Sequence, residues 1–489
     1  MCRRLEVRFC LVMVWLLLAV FSTTAGAKTI YVDDDANGLN NGSSWDNAYN
    51  FLQDALADAK SAQKPVEIRV AQGTYRLDED TLHPNGTGIR EATFQLINSV
   101  TLKGGYAGYG QPDPNNWNID LYKTILSGDL DGNDVEVSDP CDLLTEPTRA
   151  ENSYHVVTGS KTDATAILDG FTVTGGKANG FSFFNDSGGG MCSFLGRPTV
   201  SNCTFTANSA YWGGGMHNEV SSPTLTNCAF IGNAALTTPR GQAGGGLSNW
   251  SGSSPVLNRC IFVRNFAYSS GGGICNDNGC NAILKNCVFA GNRAKRIGGG
   301  MSIDESDITL VNCTFAGNVS SGGNGLAFDS PGHKFPSSAR ITNCILWDGG
   351  SEIQNYDNST IAITYSDVQG GWSGESNLNK DPCFADSNNA DYHLKSQAGR
   401  WAANSASWVK DDVTSPCIDA GDPASPVGLE PFPNGGRINM GAYGGTAEAS
   451  KSYFGEPVCE TIVAGDINGD CKVDFKDFAI MAFHWLKEH

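Results

Sequence analysis

The residues with the clearest chemical potential lie at the end of the chain. Residues 464–489 read "AGDINGDCKVDFKDFAIMAFHWLKEH", and Asp466, Asn468, Asp470, Asp474 and Asp477 fall at positions 1, 3, 5, 9 and 12 of a twelve-residue loop. Lys472 offers its carbonyl at position 7. Oxygen donors at that spacing wrap a hard cation such as Ca²⁺. Cys471 stands at position 6, where the sharp turn ordinarily takes glycine. The following residues predict a helix with Phe478, Met481, Ala482 and Trp485 on one face. A second acidic run, "SGDLDGND", holds Asp129, Asp131, Asn133 and Asp134. It has the composition of a Ca²⁺ loop or of a solvated turn, and the turn is the simpler reading. The sequence has no nucleophile elbow, phosphate loop or zinc-hydrolase motif.

The elements that must position any other site are internal repeats. "SNCTFTANSA", "TNCAFIGNAA", "NRCIFVRNFA", "KNCVFAGNRA" and "VNCTFAGNVS" share one pattern, with "DGFTVTGG" before them and the degraded "TNCILWDGG" and "TYSDVQGG" after. Phe171, Cys203, Cys228, Cys260, Cys287, Cys313, Cys344 and Ser366 align at spacings of 22 to 32 residues. Between copies runs "GGG" or "GNG" followed by Met191, Met216, Leu247, Ile274, Met301 or Leu326. Units this short bury an apolar face only by stacking. The alternation inside them is that of strands, so each unit reads as one turn of a parallel β-helix with three short strands.

In "LTNCAF", Leu225, Cys228 and Phe230 point inward and Asn227 makes a left-handed corner, a conformation that asparagine tolerates well. Asn202, Asn227, Asn286, Asn312 and Asn343 are then expected to stack as an amide ladder, interrupted by Arg259. The stacked cysteines read as small buried apolar residues. Cys275 with Cys280, and Cys459 with Cys471, are spaced for local disulfides, and the pairing of the rest stays open. If Met, Leu or Ile of the glycine motif faces inward, the residue three further on faces outward. That column reads Phe194, Glu219, Trp250, Asp277, Asp304 and Asp329. It combines a stacking face for a sugar ring with carboxylates able to hold a divalent cation. His217, beside Glu219, is expected to be a surface histidine.

Composition narrows the partners. The 489 residues carry 52 acidic against 33 basic side chains, a formal charge of −19, which excludes a phosphate-backbone ligand. Arg3, Arg4 and Arg8, the apolar run Phe9 to Phe21 and Ala25-Gly26-Ala27 form an export signal, and no further segment is apolar enough to span a bilayer. The expected organisation is a signal peptide over 1–27, an N-terminal cap and irregular first coils over 28–149, and regular repeats over 150–370. C-terminal coils follow over 371–450 and the Ca²⁺-binding module over 451–489. A helix from about Asn47 to Ala62, with Phe51, Leu52, Ala55, Leu56 and Ala59 on one face, is expected to cap the open end of the solenoid.

The Asn-Cys corners resemble those of the right-handed parallel β-helix of the pectate-lyase-like superfamily. The "F-x-x-N" and "GG-x-(I/L/M)" motifs resemble the repeats of chlamydial polymorphic outer-membrane proteins. The segment running through "SPCIDAGDP" and "GGRINMGAYGG" is similar to the C-terminal end of many bacterial β-helix proteins. The terminal loop resembles half of a type I dockerin, which implies Ca²⁺ and a cohesin-like protein partner, although only one loop is present.

The first resemblance implies an all-β solenoid whose outer strand face takes Ca²⁺ and an acidic polysaccharide. The paired-Asp and His-Gly signatures of polygalacturonases are absent, and a β-elimination base has only Arg293, Lys295 and Arg296, at a corner, as candidates. Two function classes follow. The favoured one is a secreted or cell-surface protein that binds extracellular polysaccharide or mediates adhesion. The alternative is a polysaccharide lyase or glycoside hydrolase using the same face.

Overall fold

Leu225, Cys228 and Phe230 are fully buried, and Asn227 between them has φ of 53°, so one residue turns the chain while its neighbours enter the core. The same left-handed corner recurs at Asn202, Arg259, Asn286, Asn312 and Asn343. The computed structural model describes residues 27–182, 184–236, 243–330, 335–455, 465–467 and 472–485. Residues 1–26, which hold nearly all of the expected signal peptide, lie outside the described residues, as do Cys459, Asn468, Asp470 and Cys471.

Stacked coils build parallel sheets. The first sheet runs from Lys28–Val32 through Val66–Ala71, Val100–Tyr106 and Ile167–Asp169 to Thr360–Thr364. The second runs from Gly73–Arg76 to Asp367–Val368, and the third from Phe94–Gln95 to Ile353–Asn355. A fourth, made of two-residue strands from Lys177–Ala178 to Arg293–Ala294, gives the central coils one strand more than the sequence pattern predicts. A pair such as Ala234–Ala235 is too short to display any alternation. Pairing already includes Lys28–Val32, so the segment read as irregular contributes strands to the same sheets.

Register follows the repeats. Met191, Met216, Leu247, Ile274, Met301 and Leu326 are successive partners in the third sheet. Phe205, Phe230, Phe262, Phe289 and Phe315 stack with centroids 4.9, 4.8, 4.8 and 4.4 Å apart, the spacing of adjacent strands. The glycine motif has a packing reason. Gly271 takes φ of 67°, and a Cβ on Gly273 would sit 2.6 Å from the Gly300 carbonyl and 2.9 Å from the Phe289 ring.

Two buried amide ladders run up the interior. Asn208, Asn233, Asn265 and Asn292 each donate Nδ2 to the next asparagine Oδ1 at 2.9–3.1 Å and to a strand carbonyl of the coil below. A shorter ladder links Asn218, Asn249 and Asn276, each step 2.9 Å. The expected corner ladder is only partly formed. Asn227 donates to Asn202 and Asn343 to Asn312, but Asn286 donates to the carbonyls of Ala442 and Gly444, and Asn312 to those of Asn439 and Gly441. The C-terminal segment therefore lies along this corner. Cys203, Cys228, Cys260, Cys287, Cys313 and Cys344 are buried free thiols, as are Cys275 and Cys280.

The capping helix spans Leu52–Ser61 and buries Leu52, Ala55, Leu56 and Ala59. It starts five residues later than predicted, and Phe51 is extended. Tyr49 bridges to Val32, donating its N–H to the Tyr31 carbonyl and accepting from Asp33 N–H, and Asn50 Nδ2 ties down the carbonyls of Asp33, Asp34 and Ala36, which holds this stretch out of the helix.

Candidate functional site

The predicted column forms in register on the third sheet. Phe194 pairs with Glu219, Glu219 with Trp250, Trp250 with Asp277 and Asp277 with Asp304, while Asp329 N–H donates to the Ile303 carbonyl at 3.2 Å. Its exposure is uneven. Phe194, Glu219, Trp250 and Asp329 are half-buried, whereas Asp277 and Asp304 are 7% and 1% exposed. The expectation that all six side chains meet water is thus corrected for two carboxylates. Alternation gives the side of a strand and does not show what packs over it.

The same correction applies to His217, which is 4% exposed; burial and the nearby His155 push its imidazole down to about 3. Along this row Cys192, Ser248, Cys275 and Ser302 are also buried. The column is therefore open at both ends, at Asp329 on one side and over the longer stretch Phe194–Glu219–Trp250 on the other.

Side chains outside the strands complete that end. Trp212, directly before the glycine motif, sets its ring 6.2 Å from Trp250 at 37°, and Phe184 packs edge-on against Phe194 at 5.5 Å. Burial, with Asp186 nearby, raises the Glu219 carboxyl to about 7. Trp212, Phe184 and Asp186 were missed by a search along strand positions alone, because they sit at corners. The signal was present in "YW" immediately before "GGGM".

At the other end, Lys295 lies over the Tyr268 ring at 3.9 Å, and an open groove of about 370 Å³ is lined by Lys295, Arg296, Ser321, Asp329 and Tyr356. Burial raises the Asp329 carboxyl, with Arg296 opposing. Arg293 is turned away to Asp139 at 2.6 Å. Of the corner cations, Lys295 and Arg296 line the groove and Arg293 does not.

In the terminal loop, Asp477 joins the two ends. Its Oδ1 accepts from Ile467 N–H and its Oδ2 from Asp474 N–H, both at 2.7 Å. Asp466 and Asp477, positions 1 and 12, are 4% and 2% exposed. These described oxygens suit a hard cation. The helix Phe475–Trp485 follows, with Phe478 60%, Met481 51% and Trp485 70% exposed.

Residues 150–297 match the family described as "Right handed beta helix region", and residues 263–421 match one described as "Disaggregatase related". No curated protein matches the sequence. Among solved structures, pectate lyase Pel9A aligns with a TM-score of 0.43 at 14% identity, covering 85% of this chain and 97% of that one. A rhamnogalacturonan lyase gives 0.34 at 13%, covering 74% and 91%. Pectin methylesterase PemA from Erwinia chrysanthemi gives 0.30 at 8%, covering 72% and 92%. With its parallel sheets and its family match, the chain is a right-handed parallel β-helix protein.

Proposed function

We propose that this is a secreted or cell-surface protein that binds extracellular polysaccharide on the third-sheet face, with a Ca²⁺-loaded C-terminal module that docks onto a cohesin-like protein. The Trp212–Trp250 pair beside Glu219 carries the first part. Two indole faces on neighbouring coils offer stacking surfaces for consecutive sugar rings, and a carboxyl group next to them takes a hydroxyl. The net charge of −19 speaks against nucleic acid, and among the described residues no helix is long and apolar enough to cross a membrane. Support for docking comes from the exposed apolar residues of Phe475–Trp485 beside the acidic loop. Electrophoresis through gels containing plant or algal polysaccharides tests the glycan reading. Retardation by at least one polymer, lost in Trp250→Ala, is expected; equal mobility of both proteins in every gel would overturn it.

A second reading, a glycoside hydrolase acting at the same place, is favoured by one observation. Glu219, raised to about 7, holds a proton under near-neutral conditions, as a general acid must, and Asp186 is a second carboxylate close enough to influence it. Activity on this reading falls as pH rises through about 7, when Glu219 loses its proton. A reducing-sugar screen across that range, repeated with Glu219→Gln, decides it. An ultraviolet assay for unsaturated uronides with added Ca²⁺ checks the lyase variant of this reading.

A further inference from the structure

The C-terminal segment that lies along the corner encloses ionisable groups used by neither the coils nor the third-sheet face. Tyr392 and Ala442 pack with Val288, Ala290 and Ala316 of the second sheet, and His393, next to Tyr392, is 2% exposed. Its Nδ1 lies 2.7 Å from Asp391 Oδ1, a bond that places a proton on that nitrogen. Nε2 makes no hydrogen bond and stands 3.5 Å from Glu448 Oε2. A neutral ring therefore turns a lone pair towards a carboxylate, and a second proton converts that contact into an attraction.

The groups around the ring fit the second proton. Asp391 is paired with Arg400 at 3.2 Å, and Arg400 with Asp411 at 3.2 Å. Glu448 faces Arg259 of the coils at 4.0 Å. The series Asp411, Arg400, Asp391, His393, Glu448 and Arg259 alternates in sign only when the imidazole is charged. Burial pushes the Asp391 carboxyl up, but the bonds from His393 and the Arg400 charge outweigh it and hold this group below its ordinary range. Tyr443 stacks on the imidazole with centroids 3.6 Å apart, and burial holds its hydroxyl above the ordinary range, so it stays neutral.

A carboxyl group ties the turn that meets the corner amides. Glu430 is 6% exposed, and its Oε1 accepts from Asn439 N–H and Gly445 N–H, both at 2.8 Å. One oxygen thus fastens both ends of that turn. Its Oε2 is buried without a partner, which is costlier for a charged oxygen than for a protonated one. Burial, with Asp419 nearby, raises this carboxyl to about 7 against the two N–H bonds, and burial raises Asp419 to about 6. Arg437, which opposes the rise at Asp419, gives its donors to the carbonyls of Ala420 and Gly421.

We propose that the C-terminal segment is a clasp held shut by protons: a charged His393 and an uncharged Glu430 keep residues 391–450 on the second sheet, and loss of both protons loosens it. A group that keeps its proton better in the closed form contributes fully at low pH, and that contribution is lost as pH rises through the closed-form value. For Glu430 this is about 7 against an ordinary 4.5, which weakens the closed form about tenfold between pH 6 and pH 8.5. His393 acts in the same direction, since the proton it sheds is the one facing Glu448. Opening uncovers Val288, Ala290 and Ala316, which belong to a different sheet from the polysaccharide face, so the clasp stands independently of the glycan reading.

The test is hydrogen exchange on the full chain, corrected for the intrinsic pH dependence of amide exchange. Protection of residues 438–450 is compared with that of the central strand Leu247–Trp250. Protection of 438–450 should fall about tenfold or more from pH 6 to pH 8.5, while that of Leu247–Trp250 changes less than about twofold. Glu430→Gln keeps the acceptor for Asn439 and Gly445 and carries no charge, so it should raise protection at pH 8.5 about tenfold. Adding His393→Gln should reduce the pH dependence to about twofold, the share left to Asp419. In chain labelled with ¹⁵N in histidine, the His393 resonances, identified by their loss in His393→Gln, should show both ring nitrogens protonated at pH 6. Equal protection of 438–450 at the two pH values, no gain from Glu430→Gln at pH 8.5, a full pH dependence persisting in the double variant, or a neutral His393 at pH 6 would each overturn the inference.

Discussion

Asn318 donates both its backbone N–H and its Nδ2 to one oxygen of Asp348, at 2.7 and 2.8 Å. Asn292 in turn donates to Asn318 Oδ1 through the same pair of groups, at 3.0 and 2.9 Å. The amide ladder that begins at Asn208 therefore ends on a carboxyl group rather than in water.

That ending has a consequence for pH. Burial and the neighbouring Glu352 hold the Asp348 carboxyl well above its ordinary 3.8. A raised folded pKa gives a contribution that is complete below 3.8 and is lost as pH rises towards the folded value, because the unfolded chain releases the proton first. Asp348→Asn keeps an acceptor for Asn318 and carries no charge. It should stabilise the protein by roughly 1 kcal/mol or more at pH 8, with the gain shrinking towards pH 4. Urea melts at the two pH values check this.

The phenylalanine stack sets the stability of the central coils. Phe262 lies between Phe230 and Phe289, each 4.8 Å away, and is fully buried. Phe262→Ala should cost about 3–5 kcal/mol by opening a cavity that the neighbouring coils cannot close. In a stacked array the loss falls on adjacent coils, so hydrogen exchange should rise first around Phe230 and Phe289.

Trp250→Ala and Trp212→Ala are expected to weaken polysaccharide binding by roughly 1–2 kcal/mol each, about five- to thirtyfold. The rings are neighbours, so the double variant should lose less than the sum of the single losses. Affinity electrophoresis gives all three values.

Asp477 links Ile467 and Asp474 and supplies the twelfth position of the terminal loop. Asp477→Ala should weaken Ca²⁺ binding there by tenfold or more, about 1.4 kcal/mol, and reduce the helical content of Phe475–Trp485. Calorimetric titration and circular dichroism with and without Ca²⁺ measure both effects.

The coil path was legible because it rests on local chemistry. Asn227 bends the chain, Cys228 and Phe230 alternate into the core, and the same letters recur at each coil. Burial of outward-facing residues was not legible. His217 and Asp304 sit on the side that alternation assigns them and are nonetheless buried, because alternation carries no information on what packs over a strand face. Asn265 shows a further limit. The recurring asparagine of "F-x-x-N" is visible in the sequence, while its inward bonds to Asn292 and the Phe230 carbonyl require the stacking to be known. The capping helix was misplaced at its start because Asn50 bonds to carbonyls that lie well before it in the chain.

The carbonyls of Asn439, Gly441, Ala442 and Gly444 meet the corner amides of Asn286 and Asn312 like teeth in a ratchet. Tandem arrays lengthen or shorten when recombination duplicates or deletes a unit. Here, losing the unit between those two asparagines would leave the strap one notch out of step with the surface it grips. The spacing of these two units is consequently held from outside the array, by a segment that is not itself one of the repeats.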